Sequence, residues 1–267
     1  MLFNSVILIL QETLEAALLI GVLMALNLRL QSSIRWLWAG LASGMGGAII
    51  MANQMANIAQ WFDYAGQEVM NACLQTLIYL SVLVSVWLIT SVDPEAPDAK
   101  KVLLFSCCAA VIIFCAVVCE GQEIILYLNG FAQTEHLQKN LAGAAMGFGI
   151  GVSVGTLLFY SLINSRGQGR LGLCLLLLAL FAGNMLSQST VQLMQVDWLT
   201  QHPAVWDSSS ILSEDSLIGQ LLYALVGYEA TPTPIQSGAY IFGALIVLCA
   251  AVAGTFKTNK YQLGVLK

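Results

Sequence analysis

The chain has 267 residues, of which 58% are hydrophobic and 9% are charged, with a formal net charge of −5 at pH 7. A soluble domain usually takes about a quarter of its residues from Asp, Glu, Lys and Arg, so this supply is too small to cover a soluble globule of such a size. The same composition excludes a secreted disulfide scaffold, a nucleic-acid binder and a disordered tail. It predicts an all-α, polytopic membrane protein embedded in a lipid bilayer.

Seven apolar stretches reach the roughly 20 residues that a membrane-spanning helix needs. In chain order they cover about residues 2–28, 36–60, 67–91, 102–128, 140–163, 171–195 and 235–256. Short connections join most of them, which predicts a single membrane domain over residues 1–267. The first stretch does not resemble a cleaved signal peptide, because no basic residue precedes it and two glutamates interrupt it.

Basic residues divide unequally between the two faces that seven spans create. With the N-terminus outside, Lys139 alone falls on the outer face and nine basic residues fall on the inner face. Those nine are Arg29, Arg35, Lys100, Lys101, Arg166, Arg170, Lys257, Lys260 and Lys267. This excess predicts an outside N-terminus and a cytoplasmic C-terminus. The acids left on the outer face would attract cations, although sorting of the basic residues leaves acids outside by default.

The one long connection, about residues 196–234, falls on the outer side. Ser213 precedes Glu214 and Asp215, a pattern typical of a helix N-cap followed by acids in the first turn. The apolar run over residues 217–226 then predicts an amphipathic helix that ends at the next glycine. Such a helix would lie at the membrane surface or fold back over the entrance.

The first six stretches contain a motif that occurs twice. Gln11-Glu12-Thr13-Leu14-Glu15 in the first stretch returns as Cys119-Glu120-Gly121-Gln122-Glu123 in the fourth, and a glycine-rich stretch follows each. Three spans per repeat is an odd number, so two such repeats, about residues 1–91 and 102–195, insert in opposite directions. This 3+3 inverted plan places a substrate site at the repeat interface near mid-membrane. The stretch at 235–256 is then an extra C-terminal helix.

Glu12, Glu15, Glu120 and Glu123 are the predicted metal ligands. Each i, i+3 pair puts two carboxylates on one helix face, inside apolar spans where an ionised acid costs about 2.5–3.5 kcal/mol on insertion scales. If the two helices meet, the four acids form one cluster that a hard cation such as iron, manganese, magnesium or calcium would compensate. Repulsion and desolvation favour protonation when no cation is present, so occupancy is expected to depend on pH.

Four further residues are weaker candidates. Gln11 and Cys119 directly precede the paired acids, and a thiolate at Cys119 would shift the preference of the site toward zinc or copper. Glu68 and Asn71 open the third stretch with the same spacing and would extend the pathway outward, although polarity at a helix end explains them equally well. Buried cysteines more often serve as small packing residues than as metal ligands.

Two other classes of protein remain to be distinguished from a metal permease. A membrane redox or electron-transfer subunit would need cofactor ligands, and no histidine lies within the seven apolar stretches. Di-iron bundles use a Glu-x-x-His motif, which these pairs lack. A structural or interaction protein would not need the four acids. No catalytic dyad, phosphate loop or nucleotide fingerprint is present, so we expect no enzyme activity.

These residues resemble the oxidase-dependent, high-affinity iron permease family of bacteria and fungi. That family carries a glutamate pair, in the form Arg-Glu-Gly-Leu-Glu, in the first and fourth of seven spans. The outer loop is also similar to bacterial members, through Val205-Trp206-Asp207-Ser208-Ser209 and Ile211-Leu212-Ser213-Glu214-Asp215-Ser216. The likeness extends over essentially the whole chain.

The resemblance implies iron import across the cytoplasmic membrane beside an extracytoplasmic partner that oxidises or delivers the iron. It assigns iron coordination to Glu12, Glu15, Glu120 and Glu123. It also suggests a role for Glu68, and capture at the mouth by Asp207, Glu214 and Asp215. No organic cofactor is implied, and a homo-oligomer and the energy source are left open.

The chain departs from the family motif at three positions. Gln11 and Cys119 replace the two motif arginines, and Asn71 replaces the second acid of the third span. Because two positive charges are lost, we expect tighter cation binding, slower release or stronger proton competition. A change of ion preference, toward ferrous iron or another divalent metal, is a further expectation.

Overall fold

The structure is a computed structural model, and it describes residues 2–92, 98–131, 137–165, 168–214 and 216–265. Eight helices and no strand occur in these ranges. They are α1 (Leu2–Leu30), α2 (Arg35–Ile58), α3 (Gly66–Thr90), α4 (Ala99–Phe131), α5 (Leu137–Asn164), α6 (Gln168–Gln195), α7 (Leu217–Val226) and α8 (Pro234–Val265). The seven long helices coincide with the seven apolar stretches. The predicted all-α class is therefore confirmed.

Six of the long helices in the described ranges are long and apolar enough to cross a membrane, which makes the chain a multi-pass membrane protein. The exception is α2, which has 24 residues but carries a less apolar sequence. Four glycines and polar side chains such as Asn53 and Gln54 lower its hydropathy. The seventh crossing and the orientation stay predictions.

Glycines allow the glutamate-bearing helices to pack closely on their neighbours. Helix α1 packs mainly on α5, and α4 packs mainly on α2. A Cβ atom added at Gly155 of α5 would lie 2.6 Å from Ala17 Cβ and 2.8 Å from Ala17 O on α1. At the other crossing, a Cβ atom added at Gly44 of α2 would lie 2.8 Å from Val117 Cβ on α4. Both crossings therefore bring backbone against backbone, as is common between membrane helices.

Helices α3 and α6 pack against each other and against α8. Together with the C-terminal half of α1 and the N-terminal half of α4 they form one apolar core. Its fully buried members include Leu18, Val22, Ile78, Ile112 and Leu178. This core occupies the half of the protein toward the C-terminal end of α1.

The long connection folds as a loop and the short helix α7. The predicted range 217–226 and the stop at Gly227 are confirmed, because α7 ends with Gly227 in the left-handed region at φ 67°. The predicted N-cap was wrong. Ser216 is the cap, and its Oγ accepts from the Gly219 N–H at 3.0 Å. Glu214 precedes the helix and binds elsewhere in the loop, so the first turn holds no acid.

Candidate functional site

Glu12 of α1 and Glu120 of α4 meet where these two helices cross. Their carboxyl groups are hydrogen-bonded to each other, and both side chains are half-buried. An ionised carboxylate can only accept, so a hydrogen bond between two carboxyl groups needs a proton on one of them. A metal ligand must be deprotonated. A proton and a cation would therefore compete for these oxygens.

Glu15 lies about one turn further along α1 and is buried. Its side chain is hydrogen-bonded to Gln188 of α6. Gln188 in turn accepts a hydrogen bond at Oε1 from Gln75 Nε2 of α3, at 2.8 Å. Because Oε1 is used in this way, Gln188 Nε2 is the donor to Glu15. Three helices thus fix the position of the Glu15 carboxyl group.

Glu123 completes the predicted set but differs from the other three. Its charge interacts with those of Glu12 and Glu15, while its side chain is exposed. Within the described ranges, no three His, Cys, Asp or Glu side chains are grouped closely enough to hold one metal ion. The four acids are therefore neighbours at one crossing, but they do not form a closed cage in this conformation.

The two residues before the glutamate pairs occupy different surroundings. Cys119 is buried, with Cys115 and Glu123 among its neighbours. Gln11 is half-buried and lines a cavity. Gln11 therefore brings a neutral carboxamide to the cavity wall, one residue before Glu12.

A polar cavity of about 390 Å³ leads toward the glutamates. Its lining residues are Gln11, Gln188, Val191, Gln192, Gln195, Glu214, Gln220, Tyr223 and Glu229. The volume corresponds to roughly a dozen water molecules at about 30 Å³ each, enough for a hydrated cation. Gln188 links this cavity to Glu15, because the same side chain lines the one and binds the other.

Two acids lie on the wall of the cavity. Glu214 Oε1 accepts from the Ala230 N–H at 2.5 Å, which ties the loop before α7 to the segment after it. Burial raises the pKa of Glu229, while a hydrogen bond with Gln236 opposes this effect and the charge of Glu214 adds to it. The cavity therefore carries one acid, Glu229, that holds its proton more tightly than an exposed glutamate does.

Asp207 does not line this cavity. Asp207 is exposed, and its Oδ1 accepts from Ser209 Oγ at 2.6 Å and from Ser209 N at 3.0 Å. These hydrogen bonds lower the pKa of Asp207. Asp207 closes a local turn of the loop before α7. Asp215 lies outside the described residues.

Glu68 and Asn71 also have separate surroundings. Glu68 is half-buried in the first turn of α3 and does not line the cavity. Asn71 is buried, and its Oδ1 accepts from Gln122 Nε2 at 2.6 Å. Asn71 therefore contacts the second glutamate motif from α3, rather than the outer surface.

Three residues of the site were missed in the sequence. Gln75 and Gln188 hold Glu15, and Tyr223 of α7 faces the same carboxyl groups. Burial, and then the charges of Glu15 and Glu229, raise the pKa of Tyr223 well above 10, which keeps its hydroxyl neutral. The two glutamines had a detectable signal. The motif Asn-x-x-x-Gln-[Ser/Thr] occurs once in α3, from Asn71, and once in α6, from Asn184.

Comparison with known proteins identifies the family. A family model described as the Iron permease FTR1 family matches residues 2–257. No curated protein and no solved structure matches the chain. The matched region covers every glutamate of the crossing and the whole polar cavity, and its class of activity is metal transport as a permease. The chain therefore belongs to the Iron permease FTR1 family.

Proposed function

We propose that this protein imports iron across the cytoplasmic membrane through a site made by Glu12, Glu15, Glu120 and Glu123. One observation carries this proposal: the carboxyl groups of Glu12 and Glu120, which are 108 positions apart, meet at a helix crossing below a polar cavity. Buried carboxyl groups that face each other inside membrane helices are expensive unless they serve an ion or a proton.

Cation binding would be coupled to proton release. The hydrogen bond between Glu12 and Glu120 needs one proton, so this conformation corresponds to a protonated site. An arriving iron ion would take over these oxygens, and side-chain rotation would bring Glu15 and Glu123 toward it. Import would then slow down at low pH, because protons hold the ligands more strongly.

The ion would reach the glutamates through the polar cavity. Glu214 and Glu229 supply negative charge at its wall, and the carboxamide oxygens of Gln11 and Gln220 supply neutral ligands. Such a lining suits a hydrated cation that gives up its waters step by step. We place this cavity on the outer side, in agreement with the predicted orientation.

Transport would proceed by alternating access between two inverted repeats. The packing of the helices supports the repeats: α1 on α5 in one half is matched by α4 on α2 in the other, while α3 packs on α6. In the present conformation the apolar core around Leu18 and Ile112 closes the opposite side. Release would require the two repeats to rock so that this core opens.

The ion preference would depend on the replaced arginines. Gln11 lines the cavity without a charge, and the buried Cys119 leaves the Glu120 side without a cation of its own. Less positive charge favours tighter cation binding and stronger competition from protons. We propose ferrous iron as a substrate besides ferric iron, and an extracytoplasmic protein that delivers or oxidises the metal as partner.

The test is uptake of radiolabelled iron in both oxidation states by cells that express single variants. Glu12→Gln and Glu120→Gln should each reduce uptake at least about 100-fold, since removal of a buried charged ligand costs several kcal/mol. Asp98→Asn is the control, because Asp98 is exposed at the start of α4. Normal uptake by both glutamine variants, at wild-type protein level in the membrane, would refute the proposal.

A pH series and metal competition refine the same experiment. Uptake should increase with pH until hydrolysis of iron limits it, and manganese or zinc in excess should compete only weakly. Complete inhibition by another divalent metal would make that metal the substrate. Uptake that does not depend on pH would contradict the proposed coupling between cation binding and proton release.

A further inference from the structure

Equivalent residues of the two repeats contact each other between α3 and α6. Gln75 Nε2 lies 2.8 Å from Gln188 Oε1, and Thr76 Oγ1 lies 3.0 Å from Ser189 Oγ. Both contacts join positions that are 113 residues apart, within the motif that α3 and α6 share. A residue touches its own equivalent only on the axis that relates two repeats. These contacts therefore mark that axis.

The two hydrogen bonds between equivalent residues both run from α3 to α6. Gln75 of α3 donates to Gln188 of α6. Ser189 directs its proton to the Ala72 carbonyl at 3.2 Å, so Thr76 is the donor in its contact with Ser189. Two amides joined by a single hydrogen bond cannot be symmetric about a two-fold axis, because one of them donates and the other accepts. The structure thus contains one of two equivalent arrangements.

The unused atom of Gln75 is the acceptor that the other arrangement needs. Gln75 is buried, and its Oε1 has no hydrogen-bond partner in the described part of the chain. A buried oxygen without a partner is costly and calls for an explanation. If the direction is reversed, Gln188 Nε2 donates to Gln75 Oε1, and Gln75 Nε2 becomes free to donate elsewhere.

We propose that Gln75 and Gln188 form a two-position hydrogen-bond switch that selects which glutamate pair is held. In the present arrangement Gln75 donates to Gln188, which donates to Glu15. In the opposite arrangement Gln188 donates to Gln75, which donates to Glu123, the equivalent of Glu15 in the other repeat. Both glutamines are positioning residues and do not themselves bind the ion.

The switch would stabilise each of the two conformations that alternating access requires. Both arrangements contain one amide–amide bond and one amide–carboxyl bond, so neither side is strongly preferred when the site is empty. The switch therefore links the side from which the site is open to the glutamate whose carboxyl group is held in place. This inference rests on the proposed transport by inverted repeats.

Methionine variants test the switch, because methionine matches glutamine in size and cannot form these hydrogen bonds. Gln75→Met keeps one bond in the present arrangement, from Gln188 to Glu15, and none in the opposite one. Gln188→Met keeps none in the present arrangement and one, from Gln75 to Glu123, in the opposite one. The two variants should therefore shift the conformation in opposite directions.

The readout is the accessibility of the cavity. A cysteine introduced at the exposed cavity residue Gln195 is labelled with a membrane-impermeant maleimide in right-side-out and inside-out vesicles, with the unmodified chain as the blank. From the cavity side, Gln75→Met should be labelled about fivefold or more faster than Gln188→Met, since one net hydrogen bond separates the two conformations. Both variants should also take up iron more slowly than the wild type.

Gln192→Met is the matched control, because Gln192 lies one turn along α6 from Gln188 and lines the same cavity. It should leave the labelling rate unchanged. Equal labelling of the two switch variants, or shifts in the same direction, would overturn the switch while glutamate-dependent uptake by the wild type stays intact. If the proposed function is wrong, the wild type would be labelled normally, but its iron uptake would not depend on Glu12.

Discussion

Replacement of Gly155 by alanine tests whether the close crossing of α1 and α5 positions the glutamates. The added Cβ atom would lie 2.6 Å from Ala17 Cβ and 2.8 Å from Ala17 O, whereas ordinary contacts begin at 3.4 Å. The two helices must therefore separate by about 0.8 Å (3.4 − 2.6) at a point two residues beyond Glu15. Backbone atoms on α1 cannot move aside as the end of a flexible side chain can.

The expected cost is about 1–3 kcal/mol, the usual range for an overpacked interior. This corresponds to a roughly 5- to 150-fold increase in the unfolded fraction, at about 1.4 kcal/mol for each factor of ten. Iron uptake should fall as well, because Glu12 and Glu15 shift with α1 relative to their partners on α4 and α6. Thermal stability in detergent, followed by the fraction that remains monodisperse after heating, measures the first effect, and radiolabelled uptake measures the second.

Gly149→Ala is the control, since it lies on the same helix and its added Cβ atom would meet nothing within 4 Å. Both substitutions bring the same gain in helix propensity. A difference in stability between the two variants therefore measures the effect of the close crossing alone. If the two variants are equally stable and equally active, the close approach of α1 and α5 contributes nothing, and the reasoning is wrong.

Three further predictions concern other parts of the protein. Tyr64 is exposed and has φ 72°, a backbone conformation that glycine adopts with less strain than tyrosine does. Tyr64→Gly should therefore stabilise the protein by about 1 kcal/mol and raise its melting temperature. An unchanged melting temperature would show that this loop carries no strain. Trp36 Nε1 donates to Asn27 Oδ1 at 3.1 Å. Trp36→Phe should cost about 1–3 kcal/mol of stability, because it removes this donor from a buried oxygen. Trp38→Phe, at a position that is 64% exposed, should leave the melting temperature unchanged in the same assay. Burial raises the pKa of Glu229 above its usual 4.5, so folded protein holds this proton more tightly than the unfolded chain does. The stability that the protonated form contributes is complete below about pH 4.5 and is lost as the pH rises through the higher folded pKa. Glu229→Gln should flatten melting temperature against pH in that window, and an unaltered slope would contradict this account.

Part of the site could be predicted because it depends on local spacing. Glutamates three residues apart on a helix share one face, and an apolar run of about 20 residues is long enough to form a membrane-spanning helix. The end of α7 at Gly227 follows in the same way from a backbone conformation that glycine adopts without strain. The cap at Ser216 instead of Ser213 was missed, because either serine satisfies the local pattern and only the contact between Glu214 and Ala230 decides between them.

The amino-acid sequence by itself determined the membrane-embedded helices, the two glutamate motifs and the family, since each follows from composition and spacing along one helix. The tertiary structure decided which side chains meet across helices. It alone joined Glu12 to Glu120 and placed Gln188 between the cavity and Glu15. Such contacts depend on how helices cross, and the crossing is set by close packing at residues such as Gly155, which no spacing within a single helix reveals.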